Sequence, residues 1–172
     1  MKHFNTIDFP SIHIRLLDGN NEADLVIFKE FLLRTKDYFT DYVTAVPTDE
    51  QVKEFFTSLP PKVLPSQKYM YGIFDRDRLM GFIDWVEDYP QKETGILGYF
   101  ILEEEYRGTK LAQELYNALE KTVSDTGTKI MHLTFIEDDK RASRFWEKQG
   151  YKAISTHNGD YGKQLVVEKI LG

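Results

Sequence analysis

Cysteine is absent from this 172-residue chain, which excludes a disulfide scaffold, a thiolate zinc site and a cysteine nucleophile together. Long apolar runs are absent too: Gly95 to Leu102, the longest nearly unbroken one, is far short of the ~18 residues a membrane span needs. The opening Met1-Lys2-His3-Phe4-Asn5-Thr6 has no apolar stretch of the secretory kind. These absences predict a cytoplasmic protein with no membrane partner. Positive charge is in deficit, 22 Lys and Arg against 28 Asp and Glu for a net charge of -6. A general nucleic-acid footprint is therefore disfavoured, and a neutral or cationic partner is favoured. No repeat, low-complexity tract or long linker divides residues 1–172, so one domain is expected. What is present suits a folded globule: 41% hydrophobic residues and 14% aromatics are too many for a disordered chain. A chain of this length buries roughly 70% of the surface it exposes when unfolded.

Periodicity gives the order of elements. Ile12-His13-Ile14-Arg15-Leu16 alternates as a strand does, and Leu25, Phe28 and Leu32 form one stripe of a helix from Glu22 to about Thr35. Thr48-Asp49-Glu50-Gln51 is a capping box before Val52, Phe55, Phe56 and Leu59, with Pro60-Pro61 as the stop. Three antiparallel strands are then predicted over 69–74, 79–86 and 95–102. Leu111, Leu115, Leu119 and Val123 recur every four residues, predicting a helix from Gly108 to Ser124 that ends near Gly127. Lys129 to Ile136 reads as a short buried strand. Asp138 or Asp139 caps a helix whose inner face carries Ala142, Phe145 and Trp146, with Gly150 at its C-terminal end. Two final strands, about 151–156 and 163–170, turn at Asn158-Gly159-Asp160. The expected class is α/β in the α+β sense: a mixed, mostly antiparallel central sheet of about seven strands flanked by about four helices.

The chemistry concentrates where the third of the antiparallel strands runs through Glu103-Glu104-Glu105-Tyr106 into Arg107-Gly108-Thr109-Lys110-Leu111-Ala112. The first N–H groups of a helix lack internal acceptors and sit at its positive end, so a phosphate there satisfies several donors at once. Arg107 and Lys110 add positive charge in the same turn; an ordinary strand-to-helix turn is the alternative. Gly98, inside an apolar strand, marks either a bulge or relief of crowding. A bulge would part this strand from its next neighbour, and an extended amide-bearing ligand would pair with the exposed backbone. Glu103-Glu104-Glu105 reads as a solvated charge run. Neither metal-ligand spacing nor a nucleophile triad is present.

These residues resemble the GNAT superfamily of acetyl-CoA-dependent N-acetyltransferases over nearly the whole chain. The phosphate motif of that family, Gln/Arg-x-x-Gly-x-Gly/Ala, is met at its first and last positions by Arg107 and Ala112, with Lys110 where the middle glycine usually sits. Its second motif, Asn-x-x-Ala-x-x-Phe-Tyr-x-x-x-Gly-Phe, resembles Asp139-Lys140-Arg141-Ala142-Ser143-Arg144-Phe145-Trp146-Glu147-Lys148-Gln149-Gly150-Tyr151. Asp84 to Pro90 and the Trp146 variant are similar to a bacterial branch of small GNAT proteins.

The resemblance implies a bulged central strand and acetyl-CoA as cosubstrate, with no metal. Backbone groups of Phe100 and Leu102 would pair with the pantetheine arm, and Ile101 between them counts in the same cofactor-binding stretch. The amides of Gly108, Thr109, Lys110, Leu111 and Ala112, with Arg107 at the entrance, would cradle the pyrophosphate. Asp139 stands where an asparagine commonly contacts the CoA arm, keeping an acceptor and losing an amide donor. Trp146 stands where many members carry a tyrosine acid; an indole N–H is no acid near neutral pH, so Trp146 packs against the CoA arm or the core. Tyr99, or Tyr38 and Tyr42, would substitute as acid. For the base, Glu87, Asp88 and Glu93 are the acidic pool, and His132 is either a base or shuttle or simply packed. The implied reaction is direct attack by a primary amine of a small-molecule or peptide acceptor, in a monomer or homodimer. A catalytically silent CoA-binding or interaction module on the same fold is the alternative. Asp37, Asp41, Asp84, Glu87, Asp88 and Glu93, interleaved with Tyr38, Phe39, Tyr42, Trp85 and Tyr89, would make an acceptor mouth suited to a cation.

Overall fold

The computed structural model describes residues 4, 7–37, 46–160 and 162–172; Tyr38, Phe39, Asp41 and Tyr42 lie outside them. The elements follow in the expected order: β1 (Ile12–Leu16), α1 (Glu22–Arg34), α2 (Asp49–Thr57), β2 (Lys68–Asp75), β3 (Arg78–Glu87), β4 (Thr94–Leu102), α3 (Lys110–Asp125), β5 (Ile130–Ile136), α4 (Lys140–Lys148), β6 (Lys152–Gly159) and β7 (Gly162–Ile170). Local chemistry sets their ends. Asn21 accepts from the amides of Ala23 and Asp24 at the start of α1, and Thr48 with Gln51 closes a reciprocal capping box on α2. No helix among the described residues is long and apolar enough to cross a membrane.

The seven strands form one sheet in the order β1-β2-β3-β4-β5-β7-β6. Every neighbouring pair is antiparallel except β4 and β5, which run parallel. Each face of the sheet carries its own core. On one, α3 sets Leu111, Leu115 and Leu119 against Ile73, Trp85, Leu97 and Met131, with Phe145 and Trp146 of α4 packed beside them. On the other, Phe28, Phe31 and Leu32 of α1 and Val52 of α2 cover Met70, Phe82 and Ile101.

One residue decides which β4 side chains meet which core. Across β3 and β4 the register passes from Asp84↔Tyr99 to Trp85↔Leu97, so Gly98 is an extra residue and β4 carries a β-bulge there. Because strand side chains alternate with period two, an insertion exchanges the faces of everything beyond it. Before the bulge, Leu97 faces α3 and α4. Beyond it Phe100 and Leu102 take that face, while Tyr99 and Ile101 turn toward α1 and α2.

The exit of β4 is clamped. Glu103, expected in a solvated run, is only 5% exposed: Arg34 Nε of α1 donates to its Oε1 at 2.6 Å and Arg78 of β3 to its Oε2 at 2.5 Å. Glu104 and Glu105 are exposed. The run is thus split, because the first glutamate follows the strand into the interior and needs two guanidinium partners there.

Gly95 shows how tightly the parallel junction is packed. A Cβ built on it would lie 2.0 Å from Cζ2 of Trp85, whose side chain is fully buried. Gly95→Ala should therefore lower the free energy of unfolding by about 1–3 kcal/mol through overpacking, read from the denaturant midpoint. An unchanged midpoint would show that the indole has room to shift.

Candidate active site

Two strands part at the centre of the sheet. β4 and β5 pair only at Thr94↔Ile130, Gly95↔Met131 and Ile96↔His132. Beyond Ile96 each continues with its other neighbour: β4 with β3 as far as Leu102↔Gly81, and β5 with β7 as far as Ile136↔Gln164. An opening lies between residues 97–102 and 133–136, beginning beside the bulge. Glu103 N donates to Met80 O, so by antiparallel alternation the backbone groups of Phe100 and Leu102 point away from β3 and toward the opening. Ile101 does the reverse: its side chain is 1% exposed in the core under α1 and α2 and its backbone faces β3. Alternation thus turns the backbone of Ile101, counted in the cofactor-binding stretch, away from the opening.

A cluster of open amides closes the far end of β4. The helix expected from Gly108 begins at Lys110, because Thr109 is its N-cap, with Oγ1 accepting from Ala112 N and donating to Tyr106 O. Gly108 makes the turn before it at a φ of +69°, a conformation that costs any residue with a Cβ. The N–H groups of Gly108, Thr109, Lys110 and Leu111 meet no acceptor among the described residues. Four unpaired donors at the positive end of a 16-residue helix are the kind of arrangement that suits an anion. Lys110 is exposed. Leu111 and Ala112 bury their side chains beneath this turn; Ala112 contributes packing, since its amide is already capped. Arg107 sits at the entrance, but its Nε donates to Leu102 O at 2.6 Å and its guanidinium pairs with Asp37 at 2.9 Å. It ties the turn to β4 as well as adding charge.

Asp139 is the N-cap of α4, its Oδ1 accepting from Arg141 N and Ala142 N at 3.0 and 2.9 Å. Trp146 is half-buried in an aromatic cluster, 4.8 Å from Phe145, 5.5 Å from Tyr151, 5.8 Å from Tyr116 and 6.3 Å from Phe100 between ring centres. The two phenols below it are poor proton donors. Burial pushes both Tyr116 and Tyr151 far above the ordinary tyrosine range, and Tyr116 is bonded to Glu120 on the next helical turn.

Of the three expected catalytic side chains, only Tyr99 stands at the bulge, packed on Phe55 of α2 and on Phe82. Glu87 is paired with Gly95 at the closed end of the sheet, and its Oε1 accepts from Tyr69 Oη at 2.6 Å. His132 lies at the last β4/β5 pair, its Nε2 2.7 Å from Oε2 of Glu168 on β7. The expected acidic mouth is altered as well. Trp85 is fully buried in the core under α3 and α4, which removes it from any rim. Asp88 accepts from Glu93 N, Glu93 pairs with Lys129, and Asp37 pairs with Arg107.

Asp84 is not on a rim either. It is 7% exposed, and Lys68 Nζ reaches both of its carboxylate oxygens at 2.8 and 2.7 Å. Burial holds the carboxyl above the usual aspartate range, and the Lys68 ammonium only partly offsets this. Lys68 was invisible among the motifs. Its one signal is parity: it shares alternation with Met70, which faces the core under α1 and α2, so Lys68 points inward at the position beside Asp84.

Known proteins share this fold. A family profile described as the acetyltransferase (GNAT) family matches residues 33–151. No curated protein sequence matches the chain. Among solved structures, an acetyltransferase from Thermus thermophilus is similar at 17% identity and a TM-score of 0.72, covering 94% of this chain and 97% of that one. A ribosomal L7/L12 alpha-N-protein acetyltransferase in complex with coenzyme A is similar at 15% identity and a TM-score of 0.74, covering 94% of each. An aminoglycoside 6'-acetyltransferase type Ii is similar at 22% identity and 0.64, covering 92% of this chain and 96% of that one. At these identities the likeness is one of fold.

The capping role of Asp139 is separable from any ligand contact. Asp139→Ala should cost about 0.5–2 kcal/mol of stability, whereas Asp139→Asn, which keeps the capping oxygen, should stay within about 0.5 kcal/mol. Thermal and denaturant unfolding of the two variants checks this; equal losses would place the importance of Asp139 in its charge.

Proposed function

Since the chain belongs to the acetyltransferase (GNAT) family, whose chemistry is acetyl transfer, we propose that it passes the acetyl group of acetyl-CoA to a primary amine of a small-molecule or peptide acceptor by direct attack. The observation that carries this reading is the continuity of the opening between β4 and β5 with the four open amides of residues 108–111. One end offers strand-like backbone groups at Phe100 and Leu102 to an amide-bearing arm. The other offers N–H donors, a helix dipole and Lys110 to a pyrophosphate. The residues present therefore fit acetyl-CoA, which when bound supplies an activated acyl group on a thiol leaving group.

The chain's own part is binding, orientation and proton management. An amine is protonated near neutral pH and must lose a proton before it can attack. Trp146 offers no acid, and the buried Tyr116 and Tyr151 hold their protons, so the departing sulfur leaves without a strong acid beside it. A thiolate tolerates this. The net charge of -6 and the aromatic rings of Tyr99 and Phe55 at the bulge favour a cationic acceptor over an anionic one. Neither nucleic acid nor membrane is part of this reading.

Calorimetry with coenzyme A tests the anion site. Lys110 is the first residue of α3, and Thr109 before it is extended at φ -97° and ψ 169°, which proline accepts after it. Lys110→Pro should therefore keep the helix while deleting one N–H, and weaken CoA roughly tenfold, about 1.4 kcal/mol. Lys110→Met, which deletes only the charge, should lose less, and its deficit should shrink with added salt. Unchanged affinity in Lys110→Pro would remove the pyrophosphate from this turn. Release of thiol from acetyl-CoA that requires an added amine is the expected activity; binding without release across a broad amine panel would leave a silent CoA-binding module.

A further inference from the structure

The pair Lys68–Asp84 is the most deeply buried ion pair among the described residues, with side-chain exposures of 6% and 10%. A buried pair of this kind gains little stability over a well-packed apolar pair, because desolvating two charges offsets their attraction. Its location is therefore the informative part. Asp84 stands opposite Tyr99, immediately before the register shift. The extra residue, Gly98, is exposed at the edge where β4 has just parted from β5. A Cβ built on Gly98 would lie 2.8 Å from Oδ2 of Asp84. A side chain at position 98 would overlap the carboxylate, so its absence lets the Asp84 carboxylate lie directly against the exposed backbone of the open strand edge, on the face covered by α1 and α2.

We propose that Asp84 is the proton acceptor of this site, reached by the acceptor amine past Gly98 and held in place by Lys68. The assignment rests on the acetyl-transfer reading and adds the residue that readies the acceptor. The ammonium gives one proton to the Asp84 carboxylate, leaving a neutral amine and a neutral carboxyl. The amine nitrogen bonds to the acetyl carbonyl carbon as the carbon–sulfur bond breaks. The proton still in excess on nitrogen passes to the departing sulfur, giving amide and thiol. Asp84 returns its proton to water, so the cycle releases one proton for each ammonium acetylated.

Two opposed influences suit the carboxyl to that task. The dry surroundings make it a better base than an ordinary aspartate, and the ammonium of Lys68 keeps it ionised between turnovers. The groups facing it are Lys68 from β2 and Tyr99 from β4, with Phe55 of α2 and Phe82 of β3 against the Tyr99 ring. The rival bases stand elsewhere: Glu87 is three residues along β3 on the opposite face, engaged by Tyr69, and His132 is engaged by Glu168 across β7.

The test compares the parent chain with Lys68→Met and with the double variant Asp84→Asn/Lys68→Met, which leaves no lone buried charge. Thiol release from acetyl-CoA is measured with n-butylamine, spermidine and a tripeptide bearing a free N-terminus. The double variant should bind CoA in calorimetry within about twofold of the parent and lose about a hundredfold or more in kcat/KM. In Lys68→Met the acidic limb of kcat/KM should move to higher pH, because a carboxylate without its ammonium partner protonates more readily. The carbon-13 carboxyl signal of Asp84 should titrate in step, a readout independent of turnover. A double variant within about threefold of the parent, or an acidic limb unmoved in Lys68→Met, overturns the assignment and leaves acetyl transfer standing. A parent chain that binds CoA and releases thiol with none of the amines overturns both.

Discussion

The constraint on which the rest depends is the extra residue at Gly98. Strand alternation admits no half measures: one inserted residue moves every later side chain to the opposite face. Here it gives Phe100 and Leu102 to the helices that carry the open amides, and Tyr99 to the helices on the other side. The same insertion coincides with the end of β4/β5 pairing at Ile96↔His132. A single residue thus sets both the strand opening, with Phe100 and Leu102 turned toward α3 and α4, and the Tyr99 and Asp84 side turned toward α1 and α2.

A strand that leaves its neighbour must be held by something else, and charge does that holding. Glu103 is gripped by Arg34 of α1 and Arg78 of β3 as β4 exits. Arg107 then reaches back to Leu102 O and sideways to Asp37. These contacts fix the distance between the opening and the amides at the start of α3, so the two are held in register by the protein itself. The same logic anchors the other edge, where Arg15 of β1 forms a two-point pair with the buried Asp24 of α1.

Sequence patterning made the architecture legible because period and punctuation agree along the chain. The Thr48–Gln51 box and the Leu111–Leu115–Leu119 stripe each have one dominant physical cause and form as expected, and at Gly98 both readings hold, a bulge and relief of crowding against Asp84. Boundaries shifted where two causes competed, as at Gly108, whose positive φ makes it the turn and hands the cap to Thr109. The side-chain chemistry was less legible. Glu103 looked like part of a solvated run because a local pattern cannot show two arginines arriving from positions 34 and 78. Trp85 looked like a rim aromatic until register placed it over Gly95. Lys68 carried no motif, and only the pairing of β2 with β3 brings it to Asp84.

That last pairing shows where sequence consistency gives way. A lysine at an inward position breaks the binary pattern of β2, and an aspartate at an inward position breaks that of β3. Either alone would leave a buried charge costing several kcal/mol. Together they are tolerated, at no evident gain over two apolar residues. Local rules that fail in pairs, beside a bulge and at an open strand edge, are the kind of departure that concentrates at functional sites. The acidic hairpin around Asp88 and Glu93 breaks no such rule: its carboxylates cap turns and meet surface lysine, as loop charges do. Between the two sets of acids the exposed ones look more available, yet Asp84 is the one whose burial, partner and neighbouring glycine require an explanation beyond stability.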